Sequence, residues 1–235
     1  MAPPGAAGRQ RPVPLSDNEE IERQKRAAAR AAAALVQDGM RVGLGTGSTV
    51  AYLLPAIAER GLTGLRCVAT SPATERTALA LGLGVHPLDD LGELDIAIDG
   101  ADQVDPEGWA VKGGGGAHTR EKIVAAAAHR FVVIASAEKA VERIVAPIPL
   151  ELLRFGTGST LAMLSPARLR DVPPSPDGGL IADYFGPVED PRLLAARLSA
   201  TPGVIDHGLF APEMISLVLI AEADGVSRRE GAGRA

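Results

Sequence analysis

The 235-residue chain, with 46% hydrophobic and 23% charged side chains, has the composition of a globular protein with one sizeable core, or a core plus a small second domain. Its net charge of −5 argues against a nucleic-acid partner, whose phosphates call for a basic face, and no apolar run approaches the roughly 20 residues that span a bilayer. A single cysteine, Cys67, excludes an internal disulfide and fits a reducing, cytoplasmic setting; lying in a predicted strand, it should be a buried and inert thiol.

Aromatic residues make up only 3% of the chain, so the core must be built from Ala, Val, Leu and Ile. Residues 1–15 carry Arg9 and Arg11 among Pro, Gly and Ala with no apolar segment behind them, which predicts a disordered tail and not a signal peptide. Ser16, with Glu19 three residues on, makes a capping box for an alanine-rich helix that should stop at Asp38–Gly39. Lys25 lies on that helix, where a lysine is ordinarily solvated. Met40 to Leu44 reads as a strand that runs into Gly45-Thr46-Gly47-Ser48-Thr49 and then into a helix. Backbone N–H groups, hydroxyls and a helix dipole at such a turn suit an anion. The loop lacks the lysine of a P-loop, and Ser48 stands where a dinucleotide fingerprint has its third glycine; the alternative is an ordinary strand-to-helix turn.

Strands then alternate with helices: strand at 65–70, helix at 71–83, a short extended piece at 85–88, strand at 94–99, helix at 119–128 and strand at 130–135. Near-continuous apolar strands between helices predict an α/β fold with a parallel sheet covered on both faces. Ligands of such sheets bind outside the carboxyl ends of the strands, where Gly45–Thr49, Thr70–Ser71, Asp99–Asp102 and Ser136–Lys139 all fall. After Val145 the texture changes. Prolines at 147 and 149, a turn-rich loop at 173–179 and an amphipathic helix at 191–200 predict a small α+β insert over 149–207. The main domain is then 16–148 plus 208–227, with Ile215–Ala221 as a buried strand rejoining the sheet and 228–235 as a loose tail. A second Gly-Thr-Gly-Ser-Thr, at 156–160, follows no clean strand and reads as a chance repeat.

The chemistry concentrates between Leu94 and Ala128. Asp99 and Asp102 stand at a strand end; Lys112 follows, then Gly113 to Gly116, then Glu121 at the start of a helix. Acid–base work near neutral pH needs carboxylates whose pKa values are pushed apart, and Lys112 can hold one of these ionised while Glu121 reaches a substrate carbon as a base. The glycines let backbone N–H groups approach developing oxyanion charge. Aspartates can also merely cap turns, but no calcium-loop pattern or closed metal-ligand set is present. His118, inside the loop, has no fixed partner in the sequence that would make it a base.

From about Asn18 to Val226 the chain resembles the A-type ribose-5-phosphate isomerases. The shared motifs are GLGTGST (43–49), DGAD (99–102), KGGGGAHTREK (112–122), ASAEKAV (135–141), PIPLE (147–151) and TPGVIDHGLFA (201–211). The resemblance implies a Rossmann-like domain with a small ferredoxin-like insert, and interconversion of ribose 5-phosphate and ribulose 5-phosphate in the non-oxidative pentose phosphate pathway without metal or cofactor. It implies a homodimer or homotetramer with a small-molecule pentose phosphate as its partner. Glu121 matches the proton acceptor, Lys112 and the amides of Gly113, Gly114 and Gly115 the stabilisers of an ene-diolate, Asp99 the residue that assists ring opening and Asp102 one that orients hydroxyls. Thr46, Gly47, Ser48 and Thr49, with Gly100, Ala101 and Lys139, match substrate contacts, and Lys25 stands where the family has a lysine near the phosphate. His118 departs from the alanine or leucine common there. Two rivals stand beside this reading. A sugar-phosphate sensor would have no need of Glu121, Lys112 and Asp99 together, and an amino-sugar-phosphate deaminase would release ammonia.

Overall fold

Ser16 opens the first helix, α1 (Asp17–Ala33), in the computed structural model, which describes residues 16–233. The tail expected at 1–15 lies outside the described residues. The capping box is closed: the Ser16 side chain accepts from the Glu19 amide, and Glu19 accepts from the Ser16 amide at 2.9 Å. The helix ends at Ala33, short of the expected Asp38–Gly39. Its last turn tightens, with Leu35 N–H on Ala32 O (3.0 Å) and Val36 N–H on Ala33 O (3.1 Å), and the Arg60 guanidinium caps the carbonyls of Ala33 and Val36. Small side chains at 28, 29, 32 and 33 form its fully buried stripe and bring its backbone close to the sheet.

The chain then runs β1 (Arg41–Leu44), α2 (Val50–Ala58), β2 (Arg66–Ala69), α3 (Pro72–Ala80), a single turn α4 (Leu88–Leu91) and β3 (Leu94–Gly100). Two short strands follow, β4 (Gln103–Val104) and β5 (Ala110–Val111), then α5 (His118–Ala126) and β6 (Ala128–Ser136). The smaller unit holds β7 (Ile148–Leu152), α6 (Thr157–Met163), β8 (Ala167–Leu169), β9 (Leu180–Tyr184), α7 (Pro191–Ala200) and β10 (Val204–His207). The chain returns through β11 (Leu209–Phe210) to β12 (Leu217–Glu222) and β13 (Gly225–Glu230).

The main sheet has the order β13-β12-β6-β3-β1-β2, parallel throughout except for β13. Because β1 lies between β2 and β3, the loops after β1 and β3 diverge and leave a crevice between them. One apolar cluster packs α1 and α2 on one face through Val42, Leu44, Ile96 and Ile98; a second, with Ala97, Val124, Phe131 and Phe210, lies on the other. A separate antiparallel sheet, β10-β7-β9-β8, gathers its own core around Ile148, Leu150, Tyr184 and Leu198. The three-stranded β11-β5-β4 sheet ties the segment after β3 to the chain returning from that unit.

The C-terminal segment corrects the sequence reading. Residues 228–230, expected in a loose tail, are the second half of β13, which pairs along its length with β12 across a two-residue hairpin at Ala223–Asp224. Five of its six residues are exposed, and Arg228, Arg229 and Glu230 give it the polar texture of a protected sheet edge, which hides it from a hydrophobicity pattern. Cys67 is fully buried on β2, and burial pushes its thiol up to about 11, so it is inert. Among the described residues no helix is long and apolar enough to cross a membrane.

Candidate active site

Asp99 ends the buried part of β3 and faces the loop after β1. Its Oδ1 accepts from the N–H groups of Thr46 (3.1 Å) and Gly100 (2.7 Å), and its Oδ2 lies 2.8 Å from Lys112 Nζ. Only glycine fits at 45, since a Cβ there would fall 1.9 Å from Asp99 Cγ. Lys112 follows β5, its backbone held by an N–H to Gly208 O at 2.9 Å and its ammonium seated 5.5 Å from the Phe210 ring centre. The ammonium also lies 3.1 Å from Glu121 Oε2 and donates to Gly100 O at 2.5 Å. Glu121 reaches it from the first turn of α5. Asp99, Lys112 and Glu121 are 3%, 2% and 4% exposed, so a single ammonium is shared by two buried carboxylates.

That sharing sets the protonation. Burial, and then the charge of Asp99, push Glu121 up to about 8 against the pull of Lys112. Burial also raises Asp99, opposed by Lys112 and by the two N–H donors on Oδ1. Burial works to lower Lys112, but the charges of Asp99 and Glu121 outweigh it and hold the ammonium protonated. The cluster thus has one carboxyl poised to exchange a proton near neutral pH and one fixed cation beside it. Neither ion pair meets hydrogen-bond alignment, so Asp99 Oδ2 and Glu121 Oε2 keep unmatched acceptor capacity.

The cluster opens into a cavity of about 210 Å³ lined by Thr46 to Thr49, Gly100 to Asp102, Lys112 to Gly115, Glu121 and Lys139. The expected site residues are therefore brought together with two exceptions. Asp99 lies behind the wall, and Lys25 is outside the lining, paired with Glu22 at 2.8 Å on α1. Helix α1 nonetheless touches the turn bearing Lys139, since Gln24 accepts from Ala137 N–H at 2.9 Å. Asp102 accepts from Gly114 N–H at 2.8 Å and anchors the glycine loop. Thr70 and Ser71, expected at the crevice, brace the loop from behind. The Thr70 hydroxyl meets that of Thr46 at 2.8 Å, and Ser71 caps α3. The N-cap of α2, Thr49, makes no side-chain cap and no acidic residue sits in that helix's first turn, which leaves its dipole open to an anion. Lys112 is consumed by carboxylates; Lys139 forms no ion pair among the described residues and is the lining's available positive charge.

His118 is fully buried with neither ring nitrogen hydrogen-bonded, and burial together with the Lys122 charge lowers it to about 3. It is a neutral packing group under Gly113 and not a base. The sequence reading missed Arg170, Glu151 and Phe210, although the last two lie in motifs singled out there. Glu151 accepts from the hydroxyls of Thr119 (2.5 Å) and Ser175, which ties the smaller unit to the helix bearing Glu121. A larger cavity, about 710 Å³, opens beside α5, but its Glu151 and Arg120 are already matched by Thr119, Ser175 and Asp177. Among the described residues no His, Cys, Asp and Glu cluster has the makeup of a metal site.

A doubly wound α/β domain with a buried carboxylate–lysine cluster and a glycine loop at its topological switch point has the make-up of an enzyme of the sugar-phosphate type. The family model described as ribose 5-phosphate isomerase A (phosphoriboisomerase A) matches residues 66–225. The ribose-5-phosphate isomerase A of Caulobacter vibrioides is 45% identical over 220 residues, covering 87% of this chain and 96% of that protein. The crystal structure of ribose 5 phosphate isomerase A from Neisseria gonorrhoeae superposes with a TM-score of 0.86 at 29% identity, over 89% of this chain and 97% of that one. A D-ribose-5-phosphate isomerase solved in complex with phospho-erythronic acid gives 0.84 at 33% identity, over 89% and 99%. The chain belongs to the ribose 5-phosphate isomerase A family.

Proposed function

We propose that the chain interconverts D-ribose 5-phosphate and D-ribulose 5-phosphate by proton transfer at Glu121, with no metal taking part. The observation that carries this reading is the buried pair of carboxylates sharing one ammonium at the floor of a cavity whose wall offers free amides and Lys139. On the open-chain aldose, ionised Glu121 removes the C2 proton and returns it to C1, while the proton on O2 moves to O1. Charge developing on O1 of the ene-diolate meets the Lys112 ammonium and the loop amides, in a setting shielded from water. For Asp99, which lies behind the wall with Oδ1 on two N–H groups and Oδ2 on Lys112, we infer a part in ring opening played through the ammonium it holds. The α2 N-terminus with Ser48, Thr49 and Lys139 takes the phosphate, and Lys25 joins it on release from Glu22. Phospho-erythronic acid, bound in one solved relative, carries a carboxylate on the carbon that corresponds to C2 of the ene-diolate, so its negative charge would meet the same donors. We further infer a homodimer or homotetramer working in the cytoplasm, in keeping with the family; among the described residues Phe155, at 93% exposed, and Leu193, at 70%, are the large apolar side chains most open to a partner.

The test is isomerisation in D₂O with EDTA present. Native protein should incorporate solvent deuterium at C1 or C2 while interconverting the pentoses, and Glu121→Gln should bind substrate but turn over at least about 10³-fold more slowly. Binding without exchange would establish a sensor, exchange abolished by EDTA would require a metal, and near-normal kcat in the variant would remove Glu121 from its role.

A further inference from the structure

The glycine loop is held from outside the main domain. Arg170 lies just past β8, and its backbone N–H donates to Ile181 O at 2.9 Å, extending the β8–β9 pairing. Arg168 stands opposite Asp183 in that register, so Arg170 and Asp183 are diagonal neighbours on one face. The guanidinium takes Asp183 in a two-pronged grip, Nε to Oδ2 and Nη2 to Oδ1, both at 2.6 Å. This fixes the remaining nitrogen, Nη1, which donates to Gly113 O at 2.9 Å and Gly114 O at 3.1 Å.

Those two carbonyls belong to the loop between Lys112 and Glu121. In a planar trans peptide the C=O and the following N–H point in opposite directions. Drawing Gly113 O toward Arg170 therefore turns Gly114 N–H the other way, where it meets Asp102 at 2.8 Å. Drawing Gly114 O the same way turns Gly115 N–H toward the cavity, and this amide has no acceptor among the described residues. Glycines can rotate these planes freely; the 113–114 plane is also held by a turn bond from Gly116 N–H to Gly113 O at 3.1 Å and by Asp102, whereas the 114–115 plane is held among the described residues by Arg170 alone.

We propose that Arg170 is a positioning residue for the isomerase reaction: from the smaller unit it locks the peptide planes at 113–114 so that Gly115 N–H faces the ene-diolate oxygen. The inference rests on the isomerase reading above, and it gives β8–β9 a part in turnover. Arg170 lies outside the cavity lining and forms no hydrogen bond with Glu121, so its effect should fall on the charged intermediate and not on ground-state binding.

The experiment compares native protein, Arg170→Ala, Arg170→Met and Arg170→Lys by steady-state kinetics on ribose 5-phosphate, by the pH profile and by calorimetric affinity for phospho-erythronic acid. Deleting one oxyanion donor outright costs ~10²–10³ in rate, so a donor left misaimed should lower kcat by roughly 10- to 100-fold. KM should stay within about threefold, affinity for phospho-erythronic acid should fall in step with kcat, and the pH limb should not move. Lysine cannot grip Asp183 with two prongs and reach both carbonyls, so it should restore only part of kcat. Arg170→Met keeps the apolar stem and decides the matter should the alanine variant fail to fold. A methionine variant with kcat within twofold of native overturns the proposal, as does a loss carried by KM with unchanged affinity for phospho-erythronic acid. Failure of the isomerase reading itself would show earlier, as native protein that does not interconvert the pentoses.

Discussion

The same five residues, Gly-Thr-Gly-Ser-Thr, occur at 45–49 and at 156–160, and the fold uses them in opposite ways. The first copy leaves a central parallel strand: Gly45 N–H continues the ladder to Ile98 O at 3.0 Å, and helix α2 starts only after the copy ends. Thr46 N–H goes to Asp99, and the amides of Gly47, Ser48 and Thr49, which line the cavity, have no acceptor among the described residues. In the second copy Gly156, at φ 71°, is itself the N-cap, and Thr157 to Thr160 form the first turn of α6. There the threonine hydroxyls are spent on backbone carbonyls, Thr157 on the nearby Arg154 O at 2.9 Å and Thr160 on Pro202 O, 42 residues on, at 3.1 Å. An anion loop is thus a property of the strand before the glycines and of the carboxylate beyond them, not of the pentapeptide.

The sharpest way to break the contrast is a methyl group at the first glycine. Gly45→Ala places a carbon 1.9 Å from Asp99 Cγ, so either β1 or Asp99 must move, and Asp99 is tied to Lys112. Overpacking of this kind costs about 1–3 kcal/mol, and displacement of a reacting group by an ångström can cost ~10² in rate. The expected result is a drop in kcat of at least about 100-fold with a lowered melting temperature, read by steady-state kinetics and thermal unfolding.

A smaller effect follows from what the first copy faces. With Glu121 pushed up to about 8, kcat/KM should fall about tenfold per pH unit below that value and level off above it. Stability runs the other way. The folded state holds a proton on Glu121 that the unfolded chain releases above its ordinary 4.5, so this stabilising contribution is full below 4.5 and is lost as pH rises through about 8. Glu121→Gln, which mimics the protonated carboxyl, should therefore gain in melting temperature over native protein as pH rises from 4.5 toward 8, with no further gain beyond. A difference that stayed constant across that range would mean the carboxyl is already ionised, contrary to its surroundings.

What the sequence could disclose divides along similar lines. Asp99, Lys112 and Glu121 were legible because each is the wrong residue for its place unless used: charged groups beside a buried strand, a glycine run and a helix start. The meeting of loops at strand carboxyl ends was legible from alternation of strands and helices, but the strand order that makes the switch point was not. Arg170 was not, because one arginine in a polar segment of the insert looks like any solvated cation until the β8–β9 register aims it at a loop 56 residues away. Glu151 and Phe210 sat inside recognisable motifs, but their partners Thr119, Ser175 and Lys112 are set by packing between units. β13 escaped because an edge strand defends itself with charge, and Lys25 stood on its helix as expected yet turned to Glu22.

The smallest effect belongs to the second copy and completes the comparison. Gly158 is exposed in the first turn of α6, and a Cβ there would meet nothing within 4 Å. Alanine in place of a helical glycine gains up to about 1 kcal/mol, less near a helix end, partly by restricting the unfolded chain. Gly158→Ala should thus raise the melting temperature by up to roughly 2–4 °C while kcat, KM and the limb near pH 8 stay at native values. The same chemical change, one methyl on one glycine of an identical pentapeptide, would cripple turnover at 45 and tighten the fold at 158. A measurable loss of turnover at 158 would mean that α6 communicates with the cavity, and the repeat would no longer be a coincidence of sequence.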